Sequence, residues 1–286
     1  MGSATWSRRQ SSRVLALVCW ACASCSVLVE KDRVQCNTDN ECHDRGPEYA
    51  GAVCVDSVCQ PDPIWGCLGQ VVWSKPPPGM YMVTVHLRDL ITGKPIPGVT
   101  GRLCEKLDAT CKDPVSGDIA VNEVGDLLLP VRSGFDGYVE MRAPEKMPGI
   151  YFFYPPVDAN REIPFVPLME ATLVEQLALL NMRQLHNERG HILMGGYDCR
   201  HMPAEGIRFG TDDADDQTSP FYVLNNVPKA GAKATDSSGR GGFINLREGI
   251  VAVTASLAAD NRKLATVSLF VRAGMITYTS IVPAPK

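Results

Sequence analysis

The sequence predicts an all-β protein: two β-sandwiches that follow a small disulfide-rich module, with one connecting helix between them. Three observations predict it. Short runs alternate apolar and polar residues with period two, the spacing of strands that bury one face. Pro and Gly, 21 and 25 of the 286 residues, separate these runs as turns. Five cysteines crowd into Cys36 to Cys67, a stretch with almost no apolar periodicity, which cannot build a core without cross-links.

The N-terminal segment sets the compartment. Arg8, Arg9 and Arg13 precede an apolar run from Val14 to Cys22, followed by small residues, the pattern of a secretory signal. A bilayer span needs about 20 apolar residues, so this run does not predict a transmembrane helix. Arg8 and Arg9 pair like a twin-arginine signal, but Gln10, Ser11 and Ser12 stand where hydrophobic residues would follow. Ala23, Ser24 and Cys25, with Cys22 further upstream, resemble the lipobox of bacterial lipoproteins. That resemblance implies cleavage after residue 24, lipidation of Cys25 and a membrane anchor of several acyl chains. Ser26 after the anchor implies sorting to the outer membrane of a Gram-negative bacterium.

Of 11 cysteines, loss of Cys19 and Cys22 and lipidation of Cys25 leave Cys36, Cys42, Cys54, Cys59, Cys67, Cys104, Cys111 and Cys199. Eight is even, as four disulfides in an oxidising compartment require. Cys104 and Cys111 are close enough for a local bridge, leaving Cys67 to join Cys199; alternatively Cys67 pairs with Cys104 or Cys111. A zinc site using Cys54 and Cys59 with Cys36, Cys42 or His43 lacks a C-x-x-C knuckle. Without Arg8, Arg9 and Arg13, 25 basic residues face 32 acidic ones, which argues against nucleic acid as a partner.

The expected organisation is a signal at 1–24, a tether at 25–35, the disulfide-rich module at 36–67, a first sandwich at 68–168, a helical connector at 169–189 and a second sandwich at 190–284. In the first sandwich Val83, Val85 and Leu87 alternate with Thr84, His86 and Arg88. Further strands are expected at Leu127 to Val131, Tyr138 to Met141, Ile150 to Tyr154 and Ile163 to Leu168. Thr172 and Glu175 form a capping box for the helix, with Leu173, Leu177 and Leu180 on one face and Gly190 as its stop. Strands resume at His191 in the same internal order. Asp89, Pro97, Gly98, Val99, Asp136, Gly137, Gly149 and Ile150 recur as Asp198, Pro203, Gly206, Ile207, Asp236, Gly239, Gly249 and Ile250.

Two further resemblances follow. Cys36, Asp39 and Cys42 with Val53, Cys54, Val55, Asp56, Val58 and Cys59 resemble the dickkopf-like cysteine-rich modules of envelope lipoproteins. A strand ending in Asp, a Pro and Gly turn, then Thr235, Asp236, Gly239, Gly242, Phe243 and Gly249, resemble the carboxypeptidase regulatory-like domain over 191–283. The first copy resembles it less closely over 68–168, where the hairpin reads Gly134, Phe135, Asp136, Gly137 and Tyr138 without the leading Thr-Asp. This resemblance implies an immunoglobulin-like, transthyretin-like sandwich and an accessory rather than catalytic role, with no cofactor.

No G-x-S-x-G, H-E-x-x-H, P-loop or G-x-G-x-x-G motif is present, and no catalytic residue is expected. His43, His86, His186, His191 and His201 have no ligand spacing. Asp212, Asp213, Asp215 and Asp216 are calcium candidates, being hard oxygen donors in a loop. Trp65, Trp73, Tyr151 and Tyr154 are candidates to line a sugar or peptide groove. The expected function is a non-catalytic, lipid-anchored envelope protein that contacts an envelope protein or a surface glycan. Its alternative is a ligand-capture module feeding a sugar or peptide to an envelope transporter, which requires a concave pocket lined by those aromatics.

Overall fold

A computed structural model describes residues 34–285 except Ser74 and Ala230; the expected signal segment, the expected lipid-bearing Cys25 and most of the expected tether lie outside the described residues. Helix α1 (Asp39–His43) and the hairpin β1 (Ala52–Val55) and β2 (Val58–Pro61) form the module. Then come β3 (Met80–Asp89), β4 (Thr100–Glu105), β5 (Ile119–Ala120), β6 (Asp126–Arg132), β7 (Gly137–Arg142), β8 (Gly149–Phe152) and β9 (Arg161–Leu168). Helix α2 (Ala171–Leu180) precedes β10 (Gly190–Gly196), β11 (Ile207–Thr211), β12 (Ser219–Leu224), β13 (Val227–Lys229), β14 (Arg240–Leu246), β15 (Gly249–Leu257), β16 (Lys263–Val271) and β17 (Ile276–Ile281). Among the described residues no helix is long and apolar enough to cross a membrane.

The architecture is all-β, with two sandwiches that share a sheet. Sheet β6-β3-β9 faces β5-β4-β7-β8, and β11-β15-β16 faces β13-β12-β14-β10-β17. The two facing sheets are one nine-stranded sheet, because β17 runs parallel to both β10 and β8. One core lies between this sheet and β6-β3-β9, where Val83, Val85, Leu127 and Leu129 meet Val139, Met141, Ile276 and Tyr278. The other lies on the opposite side, where Val251, Val253, Val267 and Leu269 meet Ile192, Met194 and Phe243. Strand β17 is therefore covered on both faces. Its polar side chains survive burial by donating to backbone carbonyls, Thr277 to Phe270 at 2.7 Å and Tyr278 to Pro167 at 2.6 Å.

The two sandwiches repeat one connectivity. In each, the first strand (β3 or β10) pairs parallel with the last (β9 or β17) and antiparallel with the strand (β6 or β14) that follows an Asx turn. That turn corrects the expected alignment: the counterpart of Asp236 to Gly239 is Asn122 to Gly125, not Asp136 and Gly137. Gly125 and Gly239 have φ of 78° and 67°, and each N–H donates at 2.9 Å to the carbonyl of Asn122 or Asp236. Their carbonyls accept from Leu87 and Gly196 on the first strands. A Cβ on Gly239 would sit 2.3 Å from the Gly196 carbonyl oxygen, so the close approach requires glycine. Thr235 also pins this turn, accepting from the Ile207 N–H and donating to the Ala204 carbonyl. Val121 holds the matching place in the first copy without a hydroxyl.

The helix also departs from its expected ends. Glu170, not Thr172, is the N-cap, and its side chain makes no capping bond. It pairs instead with Lys146, which also holds Asp89 at 2.7 Å. Val174, Leu177 and Ala178 are the buried face, while Leu180 is exposed. The helix closes without Gly190: Arg183 and Met182 donate to the Ala178 and Leu179 carbonyls, with Met182 at φ 55°. Gly190 opens β10, and His186 lies beyond the helix.

Candidate functional site

All eight cysteines from Cys36 onward are bonded in the structure: Cys36 to Cys54, Cys42 to Cys59, Cys67 to Cys199 and Cys104 to Cys111. Within the module, Thr38 caps α1, and Asp39 accepts the Cys54 N–H at 2.7 Å. Cys36, Cys42 and Cys59 lie close enough together to hold a metal, but their sulfurs are spent in disulfides. The module is fastened to the second sandwich by Cys67–Cys199. Beside that bond the Cys199 N–H donates to the Ile64 carbonyl, and Arg262 donates to that of Ala50 at 2.8 Å. Trp65 is buried in the second core and completes this junction.

The aromatic candidates do not come together as a groove. Trp65 and Tyr151 are core residues, 8% and 6% exposed, and the Tyr151 hydroxyl bonds Ser280 at 2.9 Å. Alternate residues of a strand in a two-faced sheet fill the layers on either side, which is what removes Tyr151. Trp73 and Tyr154 meet edge to face at 5.5 Å, and burial pushes the Tyr154 hydroxyl up to about 12. None of the four lines either concavity described below.

The calcium candidates diverge as well. Asp215 accepts from Arg189 through both oxygens, at 2.9 and 3.0 Å, and from Arg247 at 2.7 Å. The Arg189 hydrogen bonds hold its carboxyl far below the usual range. Asp213 accepts the Ala252 N–H, and Asp212 and Asp216 point outward as exposed residues. Among the described residues these carboxylates do not form a metal-ligand group.

The histidines are spread over separate elements. His43 bonds the Ala52 carbonyl, His86 bonds Asp126, His186 pairs with Glu188 and His201 is exposed. His191 is 1% exposed, and its Nδ1 accepts the Asn245 N–H. Burial lowers its pKa from 6.5 to about 4. Protonation in the unfolded chain therefore begins near pH 6.5, and the stability from the neutral ring is lost as pH falls from there towards 4. The two values differ enough to remove about 3 kcal/mol across that window. His191→Gln should flatten this part of the stability–pH curve in urea titrations; an unchanged slope would show that His191 is not the titrating group.

The densest charged arrangement lies where the two sandwiches meet. Glu140 on β7 is 2% exposed and stands opposite Arg102 on β4. Its Oε1 accepts from Arg102 at 3.1 Å and from Arg142 at 3.0 and 2.7 Å; its Oε2 accepts from Arg272 at 2.6 Å. Burial is the largest single influence on this carboxyl and pulls its pKa up. The Arg142 and Arg272 hydrogen bonds and the charges of Arg272 and Arg102 outweigh it, so the net direction is down. Arg272 also donates to the Tyr138 hydroxyl and to the Ala109 carbonyl, and lies 5.4 Å from the Tyr138 ring centroid. It thereby ties the Cys104–Cys111 loop and the first sandwich to the end of β16.

Two concavities flank the cluster and share Arg142. One, of about 180 Å³, is lined by Thr100, Gly101, Arg102, Asp118, Glu140 and Arg142. The other, of about 430 Å³, is bounded by Thr110, Ile250, Phe270, Arg272 and Met275 among others. An ion-paired carboxylate with a depressed pKa is a poor proton donor near neutrality, and guanidiniums do not give up protons. The arrangement suits binding and rigid joining. Sequence reasoning missed it because its members are 38 and 132 residues apart, and Thr100, Arg102, Glu140 and Arg142 look like an ordinary solvent-facing alternation.

No protein-family model matches the chain, and no curated protein does. Among solved structures, a shaft pilin SpaA variant of Lactobacillus rhamnosus GG is 13% identical, with 73% of this chain and 99% of that one covered at a TM-score of 0.24. The BcpA*(D312A) major pilin subunit of Bacillus cereus is 10% identical, with 72% and 100% covered at 0.25. The Bacillus anthracis TIE protein is 12% identical, with 72% of this chain covered at 0.25; the chain spans 34% of that protein's length. Likenesses this loose carry nothing about function to this chain.

Proposed function

We propose that the protein is a non-catalytic component of a cell envelope, exported and held at the outer membrane of a Gram-negative bacterium by lipid on Cys25. In this proposal the two sandwiches serve a structural or binding role toward another envelope protein or a surface glycan. The observation that carries it is the disulfide set: every cysteine from Cys36 onward is paired, in bonds that persist only where thiols are oxidised. The basic and apolar run before Cys25 and the joined, twice-covered sheet are in keeping with a rigid exported body. Ligand capture by an aromatic groove has less support, since Trp65 and Tyr151 are buried.

Intact mass spectrometry of the chain extracted from its host's membranes tests this, first non-reduced and then reduced and alkylated. The expected species starts at Cys25, carries diacylglyceryl and acyl mass, and takes up eight alkyl groups only after reduction. An unprocessed chain with free thiols would overturn the proposal.

A further inference from the structure

Helix α2 carries apolar residues on both of its sides. Val174, Leu177 and Ala178 are buried against the sheets, yet Leu179, Leu180 and Met182, on and just past its last turn, are 59%, 54% and 89% exposed. A helix that is apolar all round is normally covered all round. Thr172, Glu175 and Leu179, at intervals of three and four, share the exposed face, and Leu179 lies near its middle, away from the buried stripe. Strand β13 lies beside the helix and adds Val227, 50% exposed. Two leucines and a methionine at these exposures present on the order of 400 Å² together, the size of patch that is often functional. The charges on this face are placed symmetrically about Leu179. Glu175 stands one turn before it and Arg183 an equal number of residues after it; both are exposed, and neither forms an ion pair among the described residues.

We propose that α2 packs against α2 of a second copy of this chain, antiparallel and across a twofold axis at Leu179. Because Glu175 and Arg183 are equally far from Leu179, each Glu175 then faces the partner's Arg183, about 6 Å along the helix from the axis. Two such charge pairs flank an apolar centre made by both copies of Leu179, Leu180 and Met182. The contact covers about 800 Å² of apolar surface and, with the charge pairs and Val227, approaches the ~1,000 Å² that a specific interface needs. A lipid surface would instead take Glu175 and Gln176 out of water without a partner. The interface lies on α2 whether or not the chain is anchored at Cys25, so this inference and the envelope reading fail separately.

The test is disulfide trapping in the full-length chain, expressed in its host, oxidised with copper phenanthroline and read on non-reducing gels. Leu179→Cys adds a thiol to a chain whose cysteines from Cys36 onward are all paired, and on the axis it should be trapped mostly as a dimer. Thr172→Cys lies on the same face but about 20 Å along the helix from its counterpart, beyond the ~7 Å reach of a disulfide, and should stay monomeric. In the Leu179→Cys chain, Glu175→Arg should lower the trapped fraction about fivefold, and adding Arg183→Glu should restore it. All four positions are exposed, so melting temperatures should not change. A Leu179→Cys chain trapped no more than Thr172→Cys would overturn the proposal and leave the face to lipid or to a different protein. Trapping that Glu175→Arg does not lower would overturn it as well, because the antiparallel pairing requires that charge.

Discussion

Replacing Cys67 and Cys199 together by Ser should lower the stability of the oxidised protein by up to about 5 kcal/mol, the loop-closure value for a separation of 132 residues. The Cys104–Cys111 bond closes only seven residues, and the same arithmetic gives about 2 kcal/mol for its removal. The order of the two losses is the informative result. Cys67–Cys199 also fixes Trp65 in the second core, so the double variant should show a red-shifted, partly exposed tryptophan signal in urea before the sandwiches unfold. Equal midpoints for the wild type and the Cys67/Cys199 variant would mean that Arg262, Ile64 and Trp65 hold the module by themselves.

Glu140→Gln should cost about 3–5 kcal/mol, because removing one partner of a buried ion pair leaves the others uncompensated, and here three guanidiniums lose their shared counter-charge. Arg142→Gln is the contrast. That side chain is 66% exposed, and its loss should cost within about 1 kcal/mol. The pH dependence separates a charge effect from a packing defect. The folded pKa of Glu140 lies below its ordinary 4.5, so its contribution is complete above 4.5 and is lost as pH falls through the folded value. The gap between wild type and Glu140→Gln in guanidinium titrations should therefore narrow on acidification. A gap that stays constant from pH 7 to well below the carboxylate range would assign the loss to shape, not charge.

The candidate site divides by the range of the interactions that make it. The four disulfides use cysteines visible from counting alone, and the choice between Cys199 and Cys104 or Cys111 as partner of Cys67 is a matter of where distant strands lie. Asp212, Asp213, Asp215 and Asp216 form a recognisable acidic run, but Arg189 and Arg247 arrive from other elements and take Asp215 as a structural anchor. Tyr151 and Trp65 are aromatic residues of the kind that line grooves, until layers on both sides cover them. The Glu140 cluster has no local signature at all. Its charged residues sit on a face that a single sandwich would leave in water.

What the sequence determined by itself is local: the period-two strands, the Pro and Gly turns, the crowded cysteines and the Thr235 to Gly239 turn. Each is a property of a few adjacent residues, and side-chain alternation, φ preference and Asx hydrogen bonding act over that range. The tertiary structure decided the rest. It placed β17 parallel to both β10 and β8, turning two sandwiches into one sheet covered from opposite sides. It also matched Asn122 to Gly125 with Asp236 to Gly239, and drew Arg272 onto Glu140. These pairings join residues more than a hundred positions apart or depend on which strand lies beside which. Their energies come from burial and from satisfying hydrogen bonds across layers, terms that exist only once the layers have met.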